Sequence, residues 1–188
     1  MRARGQWTFM ESKSNSLLVW PYVIDQERHE WSIPEELLIE IWNRLVSEDK
    51  IKWVFHDGSI QDGFSFLVFL QTPGVFPLVV MDAEKRQPVH IAWLTDVGRQ
   101  HAFVHHCSVG KYRRGTWETM TAYWKGLGAI KILLGLTPAD NKRAVKFVEK
   151  ICRANIVGAI PGICYVAQAN KFVSGVMSYY ELEAENGN

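Results

Sequence analysis

The densest run of reactive side chains reads "HHCSVGKYRRGT", residues 105 to 116. Two imidazoles, a thiol and a hydroxyl occupy consecutive positions, and Lys111, Arg113 and Arg114 lead into Gly115. An imidazole titrates near neutral pH and can take a proton from a nucleophile. A cationic loop that opens a helix can hold phosphate, through side-chain charge and through the unpaired N–H groups of the first turn. Neighbouring strand residues point to opposite faces, so His105 and His106 cannot both face one cleft. The plainer reading has one histidine hydrogen-bonded in the core and the other solvated. Cys107 suggests a thiol nucleophile, but no third orienting group accompanies it. His90, His101, His105 and His106 lack the spacing of a metal site, and no metal is expected.

A second stretch, "ILLGLTPADNKRAVKFVEK", carries an apolar run to Leu136, a Thr-Pro turn and an amphipathic helix from about Asn141. A strand that runs directly into a helix N-terminus is suited to an anionic ligand. Asn141 is also a good helix cap in its own right, with Thr137 and Asp140 competing for that role. Tyr179 and Tyr180 read as packing residues of a late strand. The carboxylates to watch near the N-terminal half are Asp57 and Asp62.

The elements that must position these groups follow from pattern. "SIPEELLIEIWNRLVSED" gives a helix with a Ser32–Glu35 capping box, Pro34 in the first turn and Leu37, Leu38, Ile41, Trp42 and Leu45 on one face. "WVFHDG" reads as a short strand, and "DGFSFLVFL" fits helix or strand. "FPLVVMDAE", "PVHIAWLTD" and "HAFVHHCSV" form an antiparallel meander. Trp117, Met120, Thr121 and Trp124 then recur at helical spacing, with Gly126 and Gly128 offering caps. "AIKILLGL" has the length and apolar continuity of a strand buried on both faces. The following helix turns Ala144, Phe147, Val148, Ile151 and Cys152 inward, and two more strands complete the chain. The compact solution is an α/β (α+β) fold, with one mixed, mostly antiparallel sheet and helices on both faces.

Composition narrows the function classes. The chain has 188 residues, 47% apolar and 22% charged, with a formal charge of +1. That size suits one domain. The near-neutral charge and the lack of a basic stripe argue against nucleic acid. The run "LLVWPYVI" is too short to span a bilayer, so no membrane partner is expected. Three cysteines without metal spacing and an N-terminal stretch without a signal-type apolar core lead to a cytoplasmic expectation.

The order of elements resembles the GNAT superfamily of N-acetyltransferases. The carriers are Asn141, Ala144, Phe147 and Glu149-Lys150 in the second stretch, and "VHHCSVGKYRRG" upstream, over roughly Phe76 to Leu182. The resemblance implies an acyl-CoA N-acyltransferase fold. Its core would span 76–182, with an N-terminal arm at 1–30, a helical acceptor-side region at 31–75 and a tail at 183–188. It implies acetyl-CoA as co-substrate and a small-molecule or peptide amine as acceptor, with direct attack of the amine. Ser108, Val109, Lys111, Arg113, Arg114, Gly115, Thr116 and Asn141 would bind the cofactor, the main-chain N–H near Val109 polarising the thioester. His106 would be the general base, since the family often carries a polar or acidic residue there. A homodimer through the last strands is a further implication. The pattern departs from the family at Trp117, where a small residue is usual, and at Val148, where a proton-donating tyrosine is common. These departures motivate a second expectation: a catalytically inactive protein of the same fold, serving as a binding or structural part of a larger assembly, as in virus-encoded relatives with eroded motifs.

Overall fold

The computed structural model describes residues 16–25 and 30–182. Most of the expected arm and the whole expected tail lie outside the described residues. Strand β1 (Leu17–Pro21) belongs to the main sheet, while β2 (Ile24–Asp25) and β3 (Glu30–Trp31) pair as a small separate ribbon. Helices α1 (Glu35–Ser47), α2 (Ile51–Val54) and α3 (Gly63–Leu70) follow. The expected meander is β4 (Phe76–Asp82), β5 (Gln87–Thr95) and β6 (His101–Ser108). Then come α4 (Thr116–Leu127), β7 (Ile132–Pro138), α5 (Lys142–Lys150), β8 (Asn155–Val166) and β9 (Lys171–Glu181). The main sheet runs β1-β4-β5-β6-β7-β9-β8, and β6 and β7 are parallel neighbours.

Alternation along the meander divides the core into two layers. Leu78, Val80, Ala92 and Leu94 face α4, where Trp117, Met120 and Trp124 lie one helical turn apart and pack against Leu133. Val79, Ile91 and Trp93 face the other way, onto Leu38, Ile41, Trp42 and Leu45 of α1 and Phe66 of α3. Trp93 and Phe55 stack with ring centres 5.4 Å apart.

Several local expectations change. Ser32 does not cap α1: its hydroxyl donates to the Pro21 carbonyl (2.6 Å) and accepts from the Val23 N–H (3.0 Å). Those bonds tie the β3 end to β1, and α1 starts after Pro34 without a side-chain cap. "WVFHDG" is no strand; α2 ends at Val54, and the turn beyond it delivers Phe55 into the α1–α3 layer. "DGFSFLVFL" resolves to helix because Asp62 and Ser65 form a reciprocal capping box. Of the two last residues expected to turn inward, Cys152 is buried and Ile151 is exposed. Strand β7 is only half-buried over Leu134 and Leu136, because its neighbour on one side leaves it.

Candidate active site

That departure defines the site. The ladder between β6 and β7 runs from His101–Ile132 to Phe103–Leu134 and stops. Beyond it the two strands diverge around a gap. The Val109 N–H donates to the Val89 carbonyl on β5 at 2.9 Å. Backbone groups alternate sides along a strand, so His106 and Ser108 direct theirs away from β5 and into the gap. From β7, Ala139 bonds to β9 through its N–H, which by the same alternation turns the Leu136 backbone toward the gap.

Two helix starts flank the gap. Gly115 caps α4 at φ 90°, a left-handed conformation that glycine adopts without strain. Asn141 caps α5, its side-chain oxygen accepting from the Ala144 N–H at 3.1 Å. On the α4 face the wall is aromatic. His106 lies 5.5 Å from Trp117, 5.4 Å from Phe147 and 5.3 Å from His90, ring centre to ring centre, and Tyr112 stands edge-on to Phe147 at 4.9 Å. His106 Nδ1 and His90 Nε2 are 3.2 Å apart.

No protein-family sequence profile matches the chain, and no curated protein matches it in sequence. Solved structures do. The ribosomal-protein-S5-alanine acetyltransferase of Vibrio fischeri superposes with a TM-score of 0.64 at 10% identity, over 96% of this chain and 100% of that one. The Salmonella typhimurium acetyl transferase that modifies the N-terminal serine of L7/L12 gives 0.69 at 8%, over 90% and 97%. A Vibrio cholerae spermidine N-acetyltransferase in complex with CoA and spermine gives 0.66 at 12%, over 89% and 96%. The fold is that of the GNAT acetyltransferases.

Within this GNAT fold the expected residues fall into two groups. Ser108, Gly115 and Asn141 border the gap or its flanking helix starts. Others are engaged elsewhere. Val109 is buried and its N–H belongs to the β5 ladder, so the gap-facing donors are those of His106 and Ser108. Arg113 turns away to form an ion pair with the buried Asp82, and its Nη2 donates to the Ser16 hydroxyl at 2.9 Å. Thr116 is fully buried, with its hydroxyl donating to the Arg113 carbonyl at 2.7 Å. Lys111 and Arg114 are exposed on the loop. Trp117 does not press on the loop backbone: its indole is 4% exposed and packs on Trp124 and Tyr180.

Electrostatics separates the two adjacent histidines. Burial, with a smaller contribution from His105, pulls the His106 imidazole down to about 4. Burial, then the charges of His106 and Lys50, hold His90 well below its ordinary value. His105 points to the opposite face, stacked on Trp93 at 5.6 Å with Nε2 3.1 Å from the Thr95 hydroxyl. Burial lowers it as well, and Asp96 and Asp57 oppose that shift. Asp57 and Asp62 serve local turns: Asp57 accepts from Ser59, and Asp62 caps α3.

Glu48, Lys50, His90 and Tyr112 carried no local sequence signal. The Lys50 ammonium reaches across to the carbonyls of Ser108 (2.8 Å) and Gly110 (2.6 Å). Glu48 accepts from the Gly110 N–H at 3.0 Å and pairs with Lys50 at 2.6 Å. The Tyr112 hydroxyl accepts from the Trp117 N–H at 3.4 Å, at the α4 start. Only their shared neighbour, the loop after β6, brings them together.

Proposed function

We propose that the chain is an acetyl-CoA-dependent N-acetyltransferase whose acceptor is the amine of a small molecule or peptide. The observation that carries this reading is the divergence of β6 from β7 after Phe103 and Leu134, with the main chain of His106, Ser108 and Leu136 facing it. The solved structures of this fold named above are acetyltransferases, one of them holding CoA. Acetyl-CoA would supply an activated acyl group as a thioester.

The chain's own residues supply orientation, polarisation and a proton acceptor. Backbone N–H groups of His106 and Ser108 are fixed donors for a carbonyl oxygen lodged in the gap, which costs no reorganisation during reaction. Holding amine and acyl carbon side by side supplies much of the acceleration. His106 is uncharged at neutral pH and is the proton acceptor of this proposal, with His90 hydrogen-bonded behind it. Asn141, Gly115 and Thr116 set the two helix starts at the mouth of the gap. The phosphate end fits once Tyr112 gives up its place on the Trp117 N–H, with Lys111 and Arg114 on the exposed side.

A homodimer and a cytoplasmic setting belong to the same proposal. Support for the homodimer comes from β8, the outermost strand, which exposes Asn155–Ile163 on both faces, including Ile156, Val157, Ile160 and Ile163. No helix among the described residues is long and apolar enough to cross a membrane.

The test is thiol release from acetyl-CoA in the presence of an amine panel containing spermidine, free amino acids and short peptides with unblocked N-termini. Turnover with at least one acceptor is expected. Binding of acetyl-CoA with no turnover on any acceptor would favour the inactive, fold-only alternative.

A further inference from the structure

Beyond Phe103 the gap-side edge of β6 has lost its strand partner, yet the far end of that edge is not bare. The turn between α1 and α2 covers it. Lys50 places its ammonium 2.8 Å from the gap-facing Ser108 carbonyl and 2.6 Å from the Gly110 carbonyl. The Glu48 carboxylate accepts from the Gly110 N–H at 3.0 Å and pairs with Lys50 at 2.6 Å. Main-chain groups that a neighbouring strand or a ligand would use are held by two side chains of the same chain.

The turn is shaped to present both side chains. The Lys50 N–H donates to the Leu45 carbonyl and the Asp49 N–H to the Val46 carbonyl, the paired bonds of a Schellman ending. Such an ending needs one left-handed residue, and Asp49 takes that conformation at φ 55°. The reversal at Asp49 sets its two neighbours, Glu48 and Lys50, against the end of β6. Neither is a freely solvated surface ion, since Lys50 is 26% and Glu48 28% exposed. Burial raises the Glu48 carboxyl, but the bonds from Lys50 and Gly110 and the charges of Lys50 and Arg44 outweigh it and leave the group below its ordinary value. The pair is neutral as a whole, so what it gives the edge is hydrogen bonds and not net charge.

We propose that Glu48 and Lys50 form an autoinhibitory clamp, which occupies the unpaired end of β6 and lifts before a ligand lies along the gap. The proposal rests on the acetyl-CoA reading above. The arm of acetyl-CoA carries amides, and an amide N–H lying along this edge needs the Ser108 carbonyl that Lys50 holds. The N–H groups of His106 and Ser108 stay open, so the clamp spares the polarising donors and covers the main chain between them and the α4 start. Glu48 and Lys50 belong to one turn and pair with each other, so they lift together and neither charge is left alone. The apparent affinity for the ligand is then reduced by the fraction of molecules in which the clamp is open.

Lys50→Met keeps the apolar stem and removes the donors, and Glu48→Ala/Lys50→Met empties the edge. Calorimetric titration of the full chain with acetyl-CoA is expected to show both variants binding at least about tenfold more tightly than wild type, because charge-assisted hydrogen bonds no longer compete. The urea midpoint is expected to fall in both. A merely structural pair would lower the midpoint without tightening the affinity, so the opposite signs identify a clamp. Amide hydrogen exchange reads the contact without ligand: Gly110 is expected to exchange faster in the double variant, while Val109, bonded to Val89, keeps its protection and reports that the variant is folded. Unchanged exchange at Gly110 overturns the contact. Binding to wild type with equal or weaker binding to both variants overturns the clamp and leaves the acetyl-CoA reading standing. No binding to wild type or to either variant contradicts that reading and removes the inhibitory role with it.

Discussion

His106 shows how one residue's surroundings set its chemistry. Enclosed by Trp117, Phe147 and His90, it is uncharged in the folded protein at neutral pH. In the unfolded chain it charges below about pH 6.5. Its folded value is depressed, so its contribution to stability is complete above that pH and is lost as pH falls toward about 4. The loss from His106 amounts to roughly 2–4 kcal/mol. Urea unfolding at pH 7.5 and pH 5 reads it, and His106→Phe is expected to flatten the dependence; an unchanged slope would place the titration elsewhere. For catalysis, His106→Gln is expected to lower turnover by about 10² or more with little change in acetyl-CoA affinity. His105→Gln is the control, since His105 lies on the opposite face against Trp93.

Among the elements, α4 and β7 carry the account. Gly115→Ala forces a side chain into a left-handed cap and is expected to cost about 1–2 kcal/mol, read as a lower urea midpoint with an unchanged slope. Trp117→Ala is expected to cost about 3–5 kcal/mol, because the indole is core and not loop. A mild effect there would show that the indole instead blocks the phosphate end. Helical spacing of Trp117, Met120 and Trp124 made α4 legible, and runs rich in Val, Ile, Phe and Trp between turn signals made the meander legible. Both are local patterns that burial enforces. The capping role of Asn141 was legible because its hydrogen bond reaches only three residues along the chain, to the Ala144 N–H. The position of Arg113 was not, because its partner Asp82 is chosen by tertiary packing, and the full burial of Thr116 depends on how α4 packs on the sheet. Nor could spacing show that Val109 faces β5, since that depends on which strand edge the parallel neighbour takes. "WVFHDG" misread as strand because Phe55 signals burial, here against Trp93, whatever the backbone does, while Trp53 stays exposed.

At the scale of the whole molecule, the fold is covered by solved acetyltransferases over nearly its full length, while sequence identity with them stays near a tenth. The same fold is reached with few of the same residues. The exposed β8 strand carries the prediction on assembly: light scattering is expected to give the mass of a dimer, and Val157→Lys, at a position 66% exposed, is expected to give the monomer without loss of stability. A monomer in the wild type would remove that proposal. The central claim is that the β6–β7 gap takes acetyl-CoA, and calorimetric titration of the full chain with acetyl-CoA measures it most directly. A saturable heat is expected, together with stabilisation of about 2.7 kcal/mol at a hundred times the dissociation constant. No heat and no thermal shift at millimolar acetyl-CoA would contradict the account.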